Sequence, residues 1–370
     1  MIVPARRIAF YAPLKSPDHP VASGDRLMAR QLRAALDRAG YRVELVSDLR
    51  AYLRDPEDAE AFARLSEDAA QERARLAAAW AKDPPDVFFC YHPYYKAPDL
   101  IGPALARDFC MPYVTCEASY SSRRNLGVWA ETQAGTLATL RSAALNICLT
   151  GRDRAGLAAV DVPNLAQLIP FIATDAFAAP PQPQDGHIVT VAMMRPGDKL
   201  DSYRAMALAL GHLPPDLHWH LSVAGDGAAR ADVQALFAHL PADRIDWLGA
   251  LGAPAVAALL TRGAVYLWPG CNEAYGLAYL EAQAAGLPVV AYRTAGVPDV
   301  VSSDIGGALV ADGDPVALAG ALAALLDDPA RAASEGAAVR QHVMTQHSDT
   351  AAAARLSALI EGLFKERIPA

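Results

Sequence analysis

The chain of 370 residues has no uninterrupted apolar run of membrane-spanning length, no Cys-x-x-Cys pair and no basic excess. Crossing a bilayer takes about 20 consecutive apolar residues, so a transmembrane segment is not expected. Residues 1–20 carry Arg6-Arg7, but their apolar run is broken by Pro13 and Lys15 and is too brief for a secretory leader. The five cysteines, Cys90, Cys110, Cys116, Cys148 and Cys271, are odd in number and sit mostly in apolar contexts. They read as small hydrophobes in a reducing compartment, which points to a cytoplasmic protein. With 33 Lys+Arg against 41 Asp+Glu the net charge is -8, so nucleic acid is not an expected partner. Residues 1–175 hold 21 basic and 21 acidic residues, which leaves 12 and 20 for the remainder. The second half therefore carries the whole deficit. Arg123-Arg124, in a Tyr/Ser-rich stretch of the neutral half, is a candidate for peripheral contact with an anionic membrane surface. Also missing are a G-x-x-x-x-G-K-[ST] loop and a G-x-G-x-x-G after the first strand of either half. Walker-type nucleotide hydrolysis and a standard dinucleotide dehydrogenase are therefore poorly supported.

A chain of this length exceeds what one hydrophobic core organises, so two domains are expected. The break is placed in the proline-rich stretch 178–186. Strand patterns alternate with helical ones on both sides of it, which predicts an α/β protein with two doubly wound parallel sheets. The charged, alanine-rich segment 55–82 reads as a solvated helical insertion or an extended crossover helix.

The densest chemistry lies between Cys271 and Val290, in Cys271-Asn-Glu273-Ala-Tyr275-Gly276-Leu277-Ala-Tyr-Leu-Glu281, continued by Gly286-Leu-Pro288-Val-Val290. The run 264–268 predicts a buried strand and 277–285 a helix, stopped by Gly286 with Pro288 close behind. Gly276 then falls at a helix N-terminus, where free N–H groups and the positive end of the dipole receive an anion. Glu273 precedes that helix and Glu281 lies about one turn inside it, so two carboxylates can meet two parts of one hydroxyl-rich ligand. Taken singly, each glutamate is also what an ordinary helix carries to complement its dipole or to face water.

The pattern resembles the E-x7-E segment of retaining glycosyltransferases of family 4, which have the GT-B architecture. The resemblance extends along most of the chain. Residues 187–194 read as a strand followed by Arg195-Pro-Gly-Asp-Lys199 and a helix from about 201 to 210, similar to the family's loop whose Arg and Lys hold the donor diphosphate. Met194 stands for the usual Gly before the Arg, and Leu200 for the Gly after the Lys. Residues 218–227, with Gly225, resemble the strand that ends beside the nucleotide, and Asp246-Trp-Leu-Gly249 the turn whose backbone meets the base. In the first half, strands are expected at 7–13, 41–46, 85–92 and 112–117, with Ser23-Gly24-Asp25 leading into a helix over 26–39. His92 and Glu117 end two of those strands, Glu117 where a histidine is common. Residues 169–177 resemble the family's exit strand.

The resemblance implies two Rossmann-like domains facing a central cleft: residues 1–178 on the acceptor side, residues 187–349 on the donor side, and a terminal helix, about 350–370, packed back on the first. It implies transfer of a sugar from a nucleotide-diphosphate sugar, with retention, to a glycan, lipid-linked or small-molecule acceptor in cell-envelope polysaccharide or glycolipid synthesis. No cofactor and no obligatory metal are implied. Glu273, Arg195, Lys199 and His92 are the expected catalytic residues. Glu281, Gly276, Leu277, Tyr275, Gly225, Gly249 and Gly24 would bind the donor, and Glu117 and Asp25 would stand on the acceptor side. A nucleotide-sugar epimerase of the same fold, or a non-catalytic nucleotide-sugar-binding module, are the alternatives.

Overall fold

The computed structural model describes residues 5–21 and 23–365. It divides into two compact units, Met1–Ile169 together with Asp349–Ala370, and Pro170–Ser348.

In the first unit the chain runs β1 (Arg7–Tyr11), α1 (Gly24–Arg38), β2 (Arg42–Ser47), α2 (Ala59–Trp80), β3 (Val87–Tyr91), α3 (Gly102–Asp108), β4 (Tyr113–Cys116), α4 (Gly127–Ser142), β5 (Leu145–Cys148), α5 (Gly151–Ala158) and β6 (Leu165–Gln167). The strands form one sheet in the order β2-β1-β3-β4-β5-β6, every pair parallel. β3, β4 and β5 are buried along their full length, as expected of strands covered by helices on both faces. Segment 55–82 is a crossover helix, the second of the two readings. α2 buries Leu65, Ala69, Leu76 and Trp80, and the Trp80 indole meets Phe88 and Phe109 edge-on at 6.4 and 6.0 Å.

The second unit runs β7 (His187–Val191), α6 (Asp198–Gly211), β8 (His220–Ala224), α7 (Arg230–Leu236), β9 (Ile245–Gly249), α8 (Ala253–Leu260), β10 (Val265–Leu267), α9 (Leu277–Ala284), β11 (Val289–Tyr292), β12 (Ala308–Val310), α10 (Pro315–Leu326) and α11 (Pro329–Gln346). Its sheet has the order β12-β11-β10-β7-β8-β9, again wholly parallel. The last helix, α12 (Asp349–Lys365), belongs to the first unit and packs on α1. Arg38 pairs with Asp349 at 2.9 Å, and the Tyr41 hydroxyl donates to Glu361 at 3.1 Å. The expected extension of this helix over residues 366–370 lies outside the described residues.

Two local expectations are corrected. Residues 169–177 form no strand: Pro170 has no N–H to extend a ladder, Ile172 makes a single bridge to Ser348, and Asp175–Phe177 is a short 3-10 turn. The division of the chain falls ahead of the proline-rich stretch, which is bound into the second unit. The Gln182 and Gln184 amides donate to the carbonyls of Thr261 and Arg262, and the Arg340 guanidinium reaches those of Phe177 and Ala179 at 2.7 and 3.1 Å.

Candidate active site

In open parallel sheets, ligands bind beyond the carboxyl ends of the strands, where the strand order reverses. In the second unit that point lies between β10 and β7. The loop leaving β10 is sewn to the first turn of α6. The Cys271 amide donates to Ser202 Oγ at 2.9 Å, Asn272 Nδ2 to Asp198 Oδ1 at 3.0 Å, and Lys199 Nζ forms an ion pair with Glu273 Oε2. Lys199 also lies over the Trp268 ring, 5.4 Å from its centroid. Helix α6 begins at Asp198, three residues before the sequence-based start, so Lys199 stands in a helical first turn and not in a loop. Gly197, at φ +82°, makes this early start feasible by turning the chain into the helix. Arg195 lies just ahead of that turn and is exposed.

Gly276 opens α9 at φ +76°, and a Cβ there would stand 2.7 Å from the Tyr279 ring and 3.0 Å from Glu273 Cγ. No side chain caps this helix; the Tyr279 amide donates to the Gly276 carbonyl at 3.1 Å, and the amides ahead of it have no capping side chain. Tyr275 and Leu277, on either side of Gly276, are buried. Glu281 is half-buried, and burial pushes its carboxyl up to about 7. Gly225 and Gly249 end neighbouring strands and meet directly, Gly225 N donating to Gly249 O at 2.8 Å. A Cβ on Gly225 would lie 1.8 Å from the Ala192 carbonyl, so only glycine lets β8 pass so close to the exit of β7. Among the described residues no group of three His, Cys, Asp or Glu is placed to hold a metal ion. The one Asp-x-Asp of this unit, Asp312-Gly-Asp314, uses Asp314 as the N-cap of α10.

In the first unit the strand order reverses between β1 and β3. His92 follows β3 and Glu117 follows β4, each at a positive φ, +58° and +60°. Their backbone amides donate to the next strand, His92 N to Cys116 O at 2.8 Å and Glu117 N to Ile147 O at 2.9 Å, so the strands themselves aim both side chains. Asp25, in the first turn of α1, brings Oδ1 to 3.3 Å from His92 Nδ1. The hydrogen-bond geometry is not met there, and Nδ1 is a buried atom without a hydrogen bond. The Tyr91 hydroxyl donates to Glu117 Oε2 at 2.7 Å, and the Tyr94 ring stacks on the imidazole at 5.1 Å. Gly24 is the first residue of α1, and a Cβ on it would meet nothing within 4 Å.

These groups alter one another's protonation. Burial works against the His92 imidazolium, but Glu117, Asp25 and Asp153 outweigh it and the pKa is raised. Burial also raises Glu117, more than His92 and Tyr91 lower it. Asp25 is lowered in the balance: burial opposes ionisation, and His92 and Lys15 overcome it. His92, Glu117 and Asp25 are thus brought together, as are Lys199 and Glu273. Sequence reasoning missed Asp153 and Thr150 at the start of α5, where Thr150 Oγ1 donates to Asp153 Oδ2 at 2.7 Å. The signal was the Thr-x-x-Asp that follows the apolar run of β5.

Residues 185–328 match the family of glycosyl transferases group 1. The D-inositol 3-phosphate glycosyltransferase of Streptomyces avermitilis is 36% identical over 159 residues, which are 41% of this chain and 34% of that protein. The chain thus spans about a third of that curated relative's length. Among solved structures, sucrose-phosphate synthase from Thermosynechococcus elongatus superimposes with a TM-score of 0.71 at 20% identity, covering 98% of this chain and all of that one. Anabaena HepE in complex with UDP-glucose does so with a TM-score of 0.68 at 14% identity, over 96% and 99% of the two chains. Residues 185–328 thus resemble a glycosyl transferases group 1 domain, within a chain whose two sheets have the fold of the GT-B glycosyltransferases.

Proposed function

We propose that the chain is a retaining, family 4-type glycosyltransferase that moves a hexosyl group from a nucleotide-diphosphate sugar to a hydroxyl of its acceptor. The observation that carries the reading is the junction of α6 and α9, where Lys199, Glu273 and an uncapped helix N-terminus meet at the point where the strand order reverses. A departing nucleoside diphosphate gains negative charge as the glycosidic bond breaks. An ammonium and free amides fixed beforehand at that place lower the barrier. Lys199 and the first amides of α9 would meet the diphosphate, with Arg195 swinging in from solvent to share it. Glu273, released from Lys199 by the phosphate, would accept from sugar hydroxyls, and Glu281 from the ribose. The departing phosphate itself would take the acceptor proton, so no protein nucleophile is assigned. With these cations in place a divalent ion is redundant, and the activity should need none.

The names of the relatives support a sugar-nucleotide donor and leave base and acceptor open. The reading extends to a role in envelope polysaccharide or glycolipid synthesis at the inner face of the membrane, and the D-inositol 3-phosphate in the name of the Streptomyces avermitilis relative is one hydroxyl-bearing acceptor class to try. The test is a thermal-shift panel of UDP, GDP, ADP and CMP followed by transfer from the corresponding sugar nucleotide, the anomeric product being read by NMR. A ligand at 100 times its Kd adds about 2.7 kcal/mol to stability and is readily seen. An inverted product would exclude retention, and no shift with any nucleotide would remove the donor site.

A further inference from the structure

We propose that Tyr279 is a positioning residue of the donor site: its ring is the former over which the loop carrying Glu273 is bent, so it sets where that carboxylate meets the sugar. The inference rests on the functional reading above and adds to it a residue that touches no substrate. The loop between β10 and α9 turns at two glycines, with Glu273 midway between them. Gly270 has φ +71° and Gly276 φ +76°, a backbone region that favours glycine. Both bare Cα atoms face the same side chain. A Cβ on Gly270 would stand 2.0 Å from the Tyr279 hydroxyl, and one on Gly276 2.7 Å from the Tyr279 ring. The same two positions lie 3.4 Å from Glu273 Cβ and 3.0 Å from its Cγ. The stem of Glu273 and the tyrosine ring are therefore held against one pair of glycines.

The ring itself has little freedom. Tyr279 is buried, its hydroxyl donates to the Trp268 carbonyl at 3.0 Å, and the Tyr266 ring meets it edge-on at 5.9 Å. The Tyr266 hydroxyl in turn donates to the Val191 carbonyl at 3.1 Å, at the end of β7. Gln283 Nε2 donates to the carbonyls of Tyr279 and Val300 at 3.0 and 2.8 Å, which pins α9 one turn further on. Lys199 lies over the Trp268 indole, so the residue that accepts from Tyr279 also supports the partner of Glu273. A misplacement of about 1 Å in a group that aligns a substrate can cost about a hundredfold in rate. A buried, doubly anchored ring beneath the loop guards against that shift.

The experiment is calorimetry on the full chain with UDP, GDP and ADP and with UDP-glucose, GDP-mannose and ADP-glucose, the pair that binds best being carried forward. Tyr279→Leu removes the ring and Tyr279→Phe keeps it. We expect Tyr279→Leu to weaken the sugar nucleotide about tenfold relative to its free nucleotide, and Tyr279→Phe to stay within about threefold of the unaltered chain. In a Glu273→Ala background Tyr279→Leu should change that ratio by less than about twofold, because the carboxylate it positions is gone. A merely structural tyrosine would cost the same in both backgrounds. Gly270→Ala tests the contact from the loop side. It should lower kcat/KM about tenfold, and adding Tyr279→Phe should raise it back about threefold or more, because the oxygen that the new methyl strikes is removed while the backbone strain stays. If Tyr279→Leu fails to fold, the Gly270→Ala pair decides alone. Equal effects of Tyr279→Leu with and without Glu273, or no recovery of Gly270→Ala by Tyr279→Phe, would overturn the proposal. Failure of every nucleotide to bind the unaltered chain would instead overturn the donor-site reading, and this proposal with it.

Discussion

The ammonium of Lys199 and the carboxylate of Glu273, 74 positions apart in sequence, form an ion pair beyond the carboxyl edge of the second sheet. Each is partly shielded from water, and each is a group the proposed reaction needs for a different part of the donor. In the proposed reaction a phosphate would compete with Glu273 for the lysine and so release the carboxylate.

Lys199→Ala should weaken nucleoside diphosphate binding by about 1.5–3 kcal/mol, the worth of a charge-assisted contact to phosphate. Glu273→Ala should leave that affinity equal or slightly tighter, because it frees the ammonium, while turnover and sugar-nucleotide binding fall. Calorimetry with the free nucleotide and initial rates with the sugar nucleotide separate the two effects. Identical behaviour of both variants toward both ligands would show that the division of labour is wrong.

Glu281 sets a dependence on pH. Its folded-state pKa, pushed up to about 7 by burial, lies above that of an unfolded glutamate. The folded chain therefore holds a proton that the unfolded chain releases, and stability falls as pH rises from the carboxylate range to about 7. The full penalty, on the order of 2–4 kcal/mol, is present above that window. Glu281→Gln should raise the melting temperature at pH 8 and leave it nearly unchanged at pH 4. An equal gain at both values would mean that the carboxylate charge is not the cause.

Two glycines at helix starts should differ sharply. Gly276→Ala forces a side chain into a left-handed backbone and against the Tyr279 ring, 2.7 Å away. Strain of this kind costs about 1–3 kcal/mol, and donor binding should fall with it. Gly24→Ala has open space at the start of α1 and should change stability by about 0.5 kcal/mol or less. Thermal melts of the two variants side by side give the comparison.

His92 should titrate above its ordinary range, and Asp25→Asn should bring it down, because one of the carboxylates that sustain the imidazolium is gone. The stabilisation from a raised histidine is present below the unfolded pKa and is lost as pH rises through the folded one. Imidazole resonances followed by NMR through pH 5–9 would show both effects. A titration unaltered by Asp25→Asn would dissociate the pair.

Activity should survive EDTA, since Lys199, Arg195 and the start of α9 supply the charge that a divalent ion would bring. Loss of activity on chelation, restored by magnesium or manganese, would overturn the expectation of metal independence.

Much of the architecture was legible because it is written in local pattern. The continuous apolar runs around Phe88, Val114, Val189 and Val290 mark strands buried on both faces, and Gly286 with Pro288 marks the end of α9. Local pattern was least informative where the partner is remote. The stretch 178–186 looks like a solvated linker, yet its amides find the carbonyls of Thr261 and Arg262 some eighty residues away. The start of α6 at Asp198 was hidden because a glycine at positive φ, not a Ser or Asp cap, turns the chain into the helix.

The sequence by itself determined the alternation of strand and helix, the residue types of the E-x7-E segment and the glycine at the start of its helix, because helix stops, apolar runs and small residues act within a few positions. Only the tertiary structure decided which charges meet. The sequence places Asp25, His92, Glu117 and Asp153 far apart, and parallel pairing of β1, β3, β4 and β5 carries all four to one sheet edge. In a parallel sheet every strand ends on the same side. Residues that follow successive strands are therefore neighbours in space whatever their separation in the chain, and burial there makes each one's protonation depend on the others.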